Sequence, residues 1–216
     1  MTAAELKAYF LAEYDAATSL SAPAWEDSEI SSFLNIAQDS IVTELFKAGE
    51  LGKIAELLDT KQFGLSAHPN IINGYSFALL DIDLTTYFYH LSSRTYITAR
   101  TNPVIANQWI PNELVDRVNI TKFEQTTFNK PWFRNPKIFI DSVYDGGSNE
   151  LQYVILVDGY TSPVNNSEIT YIKKPVRISI TGGTTTNLNE SLHQTIIALA
   201  VEQAVKSIKV AKISNQ

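Results

Sequence analysis

The chain contains no cysteine in its 216 residues. That single absence removes disulfides, thiolate nucleophiles and cysteine-ligated zinc. It fits a protein made in a reducing cytoplasm without requiring one. Histidine is also scarce: His68, His90 and His193 are too few and too widely spaced for a histidine-rich metal cluster. No apolar run approaches the roughly 20 residues that cross a bilayer. The opening Met1-Thr2-Ala3-Ala4-Glu5-Leu6-Lys7 has no basic stretch followed by an apolar core, so it does not read as a signal peptide. Basic residues are outnumbered, giving a net charge of -6. Such a balance argues against wrapping nucleic acid, which needs Lys and Arg to displace counterions. It still permits DNA to pass along an acidic wall that repels it weakly. What is present is apolar: 44% hydrophobic against 19% charged residues, enough to bury a core and exclude wholesale disorder.

The search for catalytic patterns is mostly negative. Gly146-Gly147 and Gly182-Gly183 belong to no phosphate-cradling fingerprint, and no serine sits in a nucleophile elbow. Asp81-Ile82-Asp83 is the best acidic pair for a hard cation, but a solvated turn between two strands accounts for it. His193, in the first turn of the last helix, is expected at the surface, and His90, among aromatics, in a half-buried strand. Lys173-Lys174 with Arg177 is too small for a nucleic-acid footprint, and Tyr87-Phe88-Tyr89 suits core packing. The expectation is a soluble structural or assembly protein, not an enzyme, with no metal and no cofactor.

Periodicity predicts an α+β chain. Thr2-x-x-Glu5 is a capping box opening a helix over about 3–17. A second helix, capped by Asp27 or Ser28, carries Ile30, Phe33, Leu34, Ala37, Ile41 and Leu45 as one stripe and stops at Gly49. Trp25 is placed to anchor its start. A third helix is predicted from Leu51 to Lys61. From about 71 onward, β-branched and aromatic residues separated by turns predict strands. These are Ser76–Leu80, Thr85–Leu91 (or a short helix), Arg94–Arg100, Lys137–Tyr144, Leu151–Val157, Ile169–Ile172 and Pro175–Ile180, in an antiparallel meander or small sandwich. Pro111–Arg117 reads as a helical turn or two. Asn189 caps a last helix with Leu192, Ile196, Leu199, Val201, Ala204, Val205 and Ile208 on its apolar face. The domain plan is a helical bundle from 1–70 and 185–216 with a β-rich domain inserted at 71–184.

Two stretches carry a likeness. One runs Asp27-Ser28-Glu29-Ile30-Ser31-Ser32-Phe33-Leu34-Asn35-Ile36-Ala37-Gln38-Asp39-Ser40-Ile41-Val42. The other runs Tyr171-Ile172-Lys173-Lys174-Pro175-Val176-Arg177-Ile178, then a Gly-rich turn, then Leu188-Asn189-Glu190-Ser191-Leu192-His193 into an Ile/Leu-rich helix. Over roughly 25–50 and 170–212 the chain resembles head-to-tail connector proteins of tailed phages, of the adaptor or ring type in crAss-like phages and the tail-tubular adaptor type in podoviruses. The resemblance implies a virion protein, made in the host bacterial cytoplasm, that forms a cyclic, dodecameric ring under the portal. Its implied partners are further copies of itself, the portal protein and a downstream tail protein, with passing DNA and no membrane.

A head-to-tail ring needs two different patches per subunit. The candidate interface residues are Trp109; Trp132, Phe133 and Arg134 in the aromatic loop Asn129–Arg134; and Lys206, Lys209 and Lys212 at the end of the last helix, where they also complement its dipole. The alternatives are another neck, tail or minor capsid protein, a glycan- or protein-binding β-module, and an enzyme with scattered carboxylates.

Overall fold

The computed structural model describes residues 1–18, 24–63, 81–83, 86–97, 108–116, 135–145, 148–156 and 166–214, with the side chains at 63, 81–83, 97, 141–145, 148–156 and 209–214 left aside. The fold class is α+β. The chain divides into two units, Met1–Leu57 with Lys174–Gln216, and Leu58–Lys173. The changeovers therefore fall at 57/58 and 173/174, where the sequence reading put them near 70 and 185.

The first unit is built by local helix chemistry. Helix α1 (Ala3–Thr18) opens on the expected reciprocal cap: Glu5 N–H donates to Thr2 Oγ1 at 3.3 Å and Thr2 N–H donates to Glu5 Oε2 at 2.7 Å. Helix α2 (Asp27–Ala48) starts from Glu26 rather than Asp27 or Ser28, with the Glu26 N–H donating to Glu29 Oε2 at 2.9 Å. It ends at Gly49, whose φ of 74° is the left-handed conformation that turns the chain out of a helix. Ile30, Leu34, Ala37 and Ile41 are buried as predicted, and Leu45 is half-buried. Phe33 joins Trp25 edge-on at 5.1 Å and Phe10 at 6.4 Å, so Trp25 is the anchor the sequence suggested. After a 3-10 turn (Glu190–Leu192) capped by Asn189, helix α3 (His193–Ser214) packs against both α1 and α2. Its buried Ile196, Ile197, Ala200, Val201 and Ala204 make it the middle layer of the bundle.

The stretch Lys174–Leu188 enters this bundle without regular structure, apart from one bridge between Ser179 and Thr184. The alternation over Pro175–Ile180 predicts a strand; instead, α2 side chains take the place of a partner strand. Asn35 Nδ2 donates to the Ile178 carbonyl and Asn35 Oδ1 accepts from the Ile178 N–H, both at 2.9 Å. Gln38 Nε2 donates to the Val176 carbonyl at 3.1 Å, and Ile180 N–H donates to Ser31 Oγ at 3.0 Å. Arg177 pairs with Asp39 at 2.7 Å. Ser31, Asn35 and Gln38 stand at i, i+4 and i+7, one helical stripe, and they pair with backbone groups of Val176, Ile178 and Ile180 that no strand partners.

The second unit is all strand among the described residues. Its strands are β1 (Leu58–Phe63), β2 (Asp81–Asp83), β3 (Tyr87–Ile97), β4 (Gln108–Pro111), β5 (Glu113–Leu114), β6 (Lys137–Asp145), β7 (Ser148–Leu156) and β8 (Ser167–Lys173). They form two four-stranded sheets, ordered β1-β8-β3-β4 and β2-β7-β6-β5. The order is not a meander, since β8 lies between β1 and β3. Nor is it wholly antiparallel, since β5 runs parallel to β6. The predicted third helix stops early: Leu51–Leu57 is 3-10, and the chain then extends to pair β1 with β8. Of the two strands expected at Thr85–Leu91 and Arg94–Arg100, the described residues 87–91 and 94–97 belong to the single strand β3. Residues 111–116 of the predicted helical turn are not helical, and Arg117 lies outside the described residues; the chain leaves the first sheet at Pro111 and joins the second at Glu113. Asp81-Ile82-Asp83 is not a turn but strand β2, paired with β7. Ser76–Leu80 lies outside the described residues.

Candidate functional site

Register sorts the first sheet into two faces. One carries Ile169, Tyr171, Ser93, Thr95 and Ser167, all buried. There Thr95 Oγ1 donates to Asn112 Oδ1 at 2.8 Å and lies 3.0 Å from Ser167 Oγ. On the same face, in one row across three strands, Asp59 is opposite Tyr171 and Tyr171 is opposite His90. The Tyr171 hydroxyl donates to Asp59 Oδ2 at 3.0 Å. Burial, then the Asp59 hydrogen bond and charge, push that phenol up to about 12. Burial of His90 holds its imidazole below its ordinary range.

The other face is polar and open. Gln62, Glu168, Arg94 and Pro111 fall in one row across β1, β8, β3 and β4. Glu168 accepts from Arg94 Nε at 2.8 Å and Nη2 at 3.0 Å, and from Gln62 Nε2 at 2.9 Å. Those bonds, Arg94 first, hold the Glu168 carboxyl below the usual carboxylate range. The Arg94 guanidinium lies 4.9 Å over the Trp109 ring, and Trp109 packs edge-on with Tyr96 at 5.4 Å.

Where β5 meets β6, the Lys137 ammonium, 4% exposed, is held by Glu113, which also accepts from Asn135 Nδ2 at 3.1 Å. The Lys137 hydrogen bond depresses the Glu113 carboxyl.

Of the interface residues flagged from sequence, Trp109 is in strand β4, half-buried under Arg94, not in a loop. Lys206 is exposed on α3 and pairs with Glu202 at 2.6 Å. Lys209 and Lys212 belong to the same helix, with side chains outside the description, and Trp132, Phe133 and Arg134 lie outside the described residues altogether. The basic spot is used in ion pairs: Arg177 with Asp39, and Lys173 4.0 Å from Asp59. His193 is not at the surface. It is 3% exposed, with Nε2 3.0 Å from the Leu188 carbonyl and Nδ1 3.3 Å from the Met1 amine. A carbonyl only accepts, so Nε2 carries the proton and Nδ1 is left to accept. The polar stripe Ser31, Asn35 and Gln38 enters the sequence reading only within the phrase that resembles connector proteins, and the pairs Arg94–Glu168 and Lys137–Glu113 have no role in it. The first shows as amide side chains within an apolar helix; the pairs join distant strands and have no sequence signal.

Among the described residues, no three His, Asp or Glu side chains are grouped to hold a metal ion, and no helix is long and apolar enough to cross a membrane. No protein-family model matches the chain, and no curated protein matches its sequence.

Proposed function

We propose that the chain is a structural subunit of a tailed-phage virion: a head-to-tail connector that assembles as a cyclic ring between portal and tail and lines the DNA passage. The observation that carries this reading is the polar stripe of α2. The two stretches that resemble connector proteins, about 25–50 and 170–212, are far apart in sequence. Yet Asn35, Gln38 and Ser31 of the first hold Val176, Ile178 and Ile180 of the second. That the two stretches carrying the likeness contact each other supports reading them together. The net charge of -6 suits a wall past which DNA slides without sticking.

Native mass spectrometry across protein concentration, with negative-stain imaging of any large species, tests the reading. The expected result is a closed ring of many copies, formed alone or on addition of the portal protein encoded with it. A strict monomer indifferent to that portal protein overturns it.

A further inference from the structure

The first sheet holds a pocket of about 350 Å³ bordered by Ser92, Ser93, Arg94, Pro111, Glu168 and Thr170, most of them on its open face. We propose that this pocket binds a neutral carbohydrate, one ring of a longer glycan. The inference stands apart from the connector reading and rests on the chemistry of the walls.

Charge selects the class of ligand. Arg94 and Glu168 neutralise each other, so an anion entering the pocket meets a carboxylate and a cation meets a guanidinium. A neutral polyol meets both without repulsion. Position favours the same ligand. The guanidinium is fixed through Nε and Nη2 to both Glu168 oxygens and lies over Trp109. It therefore loses little freedom on binding, and it carries N–H donors beyond the two it uses. Beside it, Ser92 and Thr170 are cross-strand partners on the open face, and Thr60 Oγ1 lies 3.1 Å from Thr170 Oγ1. Each hydroxyl both donates and accepts, as sugar hydroxyls do. The Pro111 ring gives one wall for the C–H face of a sugar. One register step further, the Tyr96–Trp109 pair offers aromatic surface to a neighbouring ring. The volume is at the small end of ligand pockets, roughly 300–1,000 Å³, which suits one sugar unit.

The test titrates the isotope-labelled full chain with neutral gluco-, manno-, galacto- and xylo-oligosaccharides, read by chemical-shift change and calorimetry. At least one series is expected to bind saturably. Thr170→Val, which keeps the strand and removes the hydroxyl, and Arg94→Lys, which removes the planar fork, are each expected to weaken it about tenfold. Lys206→Ala, in the other unit, leaves affinity unchanged. Melting temperatures close to the parent's show that both pocket variants are folded. Absence of saturable binding by the folded chain overturns the proposal, and so does affinity unaltered in both pocket variants. Shifts on this face that follow protein concentration rather than sugar also overturn it, and assign the face to a second copy of the chain.

Discussion

The two units solve the same problem, satisfying buried backbone, by opposite means. In the helical unit the irregular segment 174–188 has no strand to pair with, and side chains of α2 take the ladder's place. In the strand unit backbone pairs with backbone, and the polar side chains are free to pair with one another, as Arg94–Glu168 and Lys137–Glu113 do. The helical unit thus adds amide contacts and partly exposed ion pairs such as Lys7–Asp27 and Arg177–Asp39 to its apolar burial. The strand unit carries its ion pairs between strands, one of them on the buried ammonium of Lys137. Among the described residues, the groups with shifted titration are His90, Glu113, Glu168 and Tyr171 in the strand unit and Glu5 and Tyr14 in the helical one.

The largest effect should come from the middle layer of the bundle. Deleting the chain from about 189 onward removes every buried residue of α3 and is expected to abolish cooperative melting of the helical unit. A native-like truncated monomer with a sharp thermal transition would contradict the layering described. Within the intact bundle, Leu34→Ala should cost about 3 kcal/mol in denaturant unfolding, since Leu34 is fully buried.

The strand unit breaks differently. Glu113→Ala takes the carboxylate from Lys137, whose ammonium is buried, and should cost about 2 kcal/mol. That is below the range for a fully buried pair because Glu113 is half exposed. Adding Lys137→Met should restore most of the loss, whereas two independent surface effects would simply add. Acid acts in the same direction. The Glu113 and Glu168 pKa values are depressed, so their stabilisation is present above the ordinary carboxylate pKa and is lost as pH falls through the folded values. His90, depressed by burial, also loses ground as pH falls below the ordinary imidazole value. Amide exchange on acidification should therefore rise in 58–173 before it rises in the bundle. The reverse order would break the comparison.

Next in size is the amide stripe. Asn35→Ala leaves both the Ile178 N–H and carbonyl without these partners and should cost about 2 kcal/mol. Increased exchange at Ile178 is the site-specific signature.

What was legible in the sequence follows from the range of each interaction. The caps Thr2/Glu5 and Asn189, the stop at Gly49 and the stripe Ile30–Ile41 are decided within one or two helical turns, and the structure has them as read. Strands β6, β7 and β8 are visible from their β-branched residues, and the antiparallel β6–β7 pair follows from the turn between them; the partners of β8 are not visible, because β1–β8 and β3–β8 pairing is set by distant segments. Leu58–Phe63 follows a helical run in sequence and is drawn into a sheet by Ser167–Ile172. Pro175–Ile180 alternates like a strand, yet its partners are on α2. A first-turn position places His193 at the surface; its burial against Met1 and Leu188 depends on a contact 192 residues away. The pocket face is assembled from four strands, and of its residues only Trp109 was flagged, on residue type alone.

The smallest effect sharpens the comparison at alkaline pH, where among the described residues each unit has one shifted tyrosine. Tyr14 is raised mainly by burial. Tyr171 is raised by burial first, and further by donating to the Asp59 carboxylate, which disfavours a second negative charge beside it. A folded pKa of about 12 against an ordinary value of 10.0 means that the native state holds the proton longer than the unfolded chain. The corresponding stability is fully present below the unfolded value and is lost as pH rises through the folded one. At neutral pH nothing should change. A spectrophotometric phenolate titration should show one high transition that disappears in Tyr171→Phe. Asp59→Asn should move that transition down without removing it, since burial remains after the charge is gone. If Asp59→Asn leaves it in place, burial alone sets the value and the row Asp59–Tyr171 is packing, like the aromatic contacts of the helical unit.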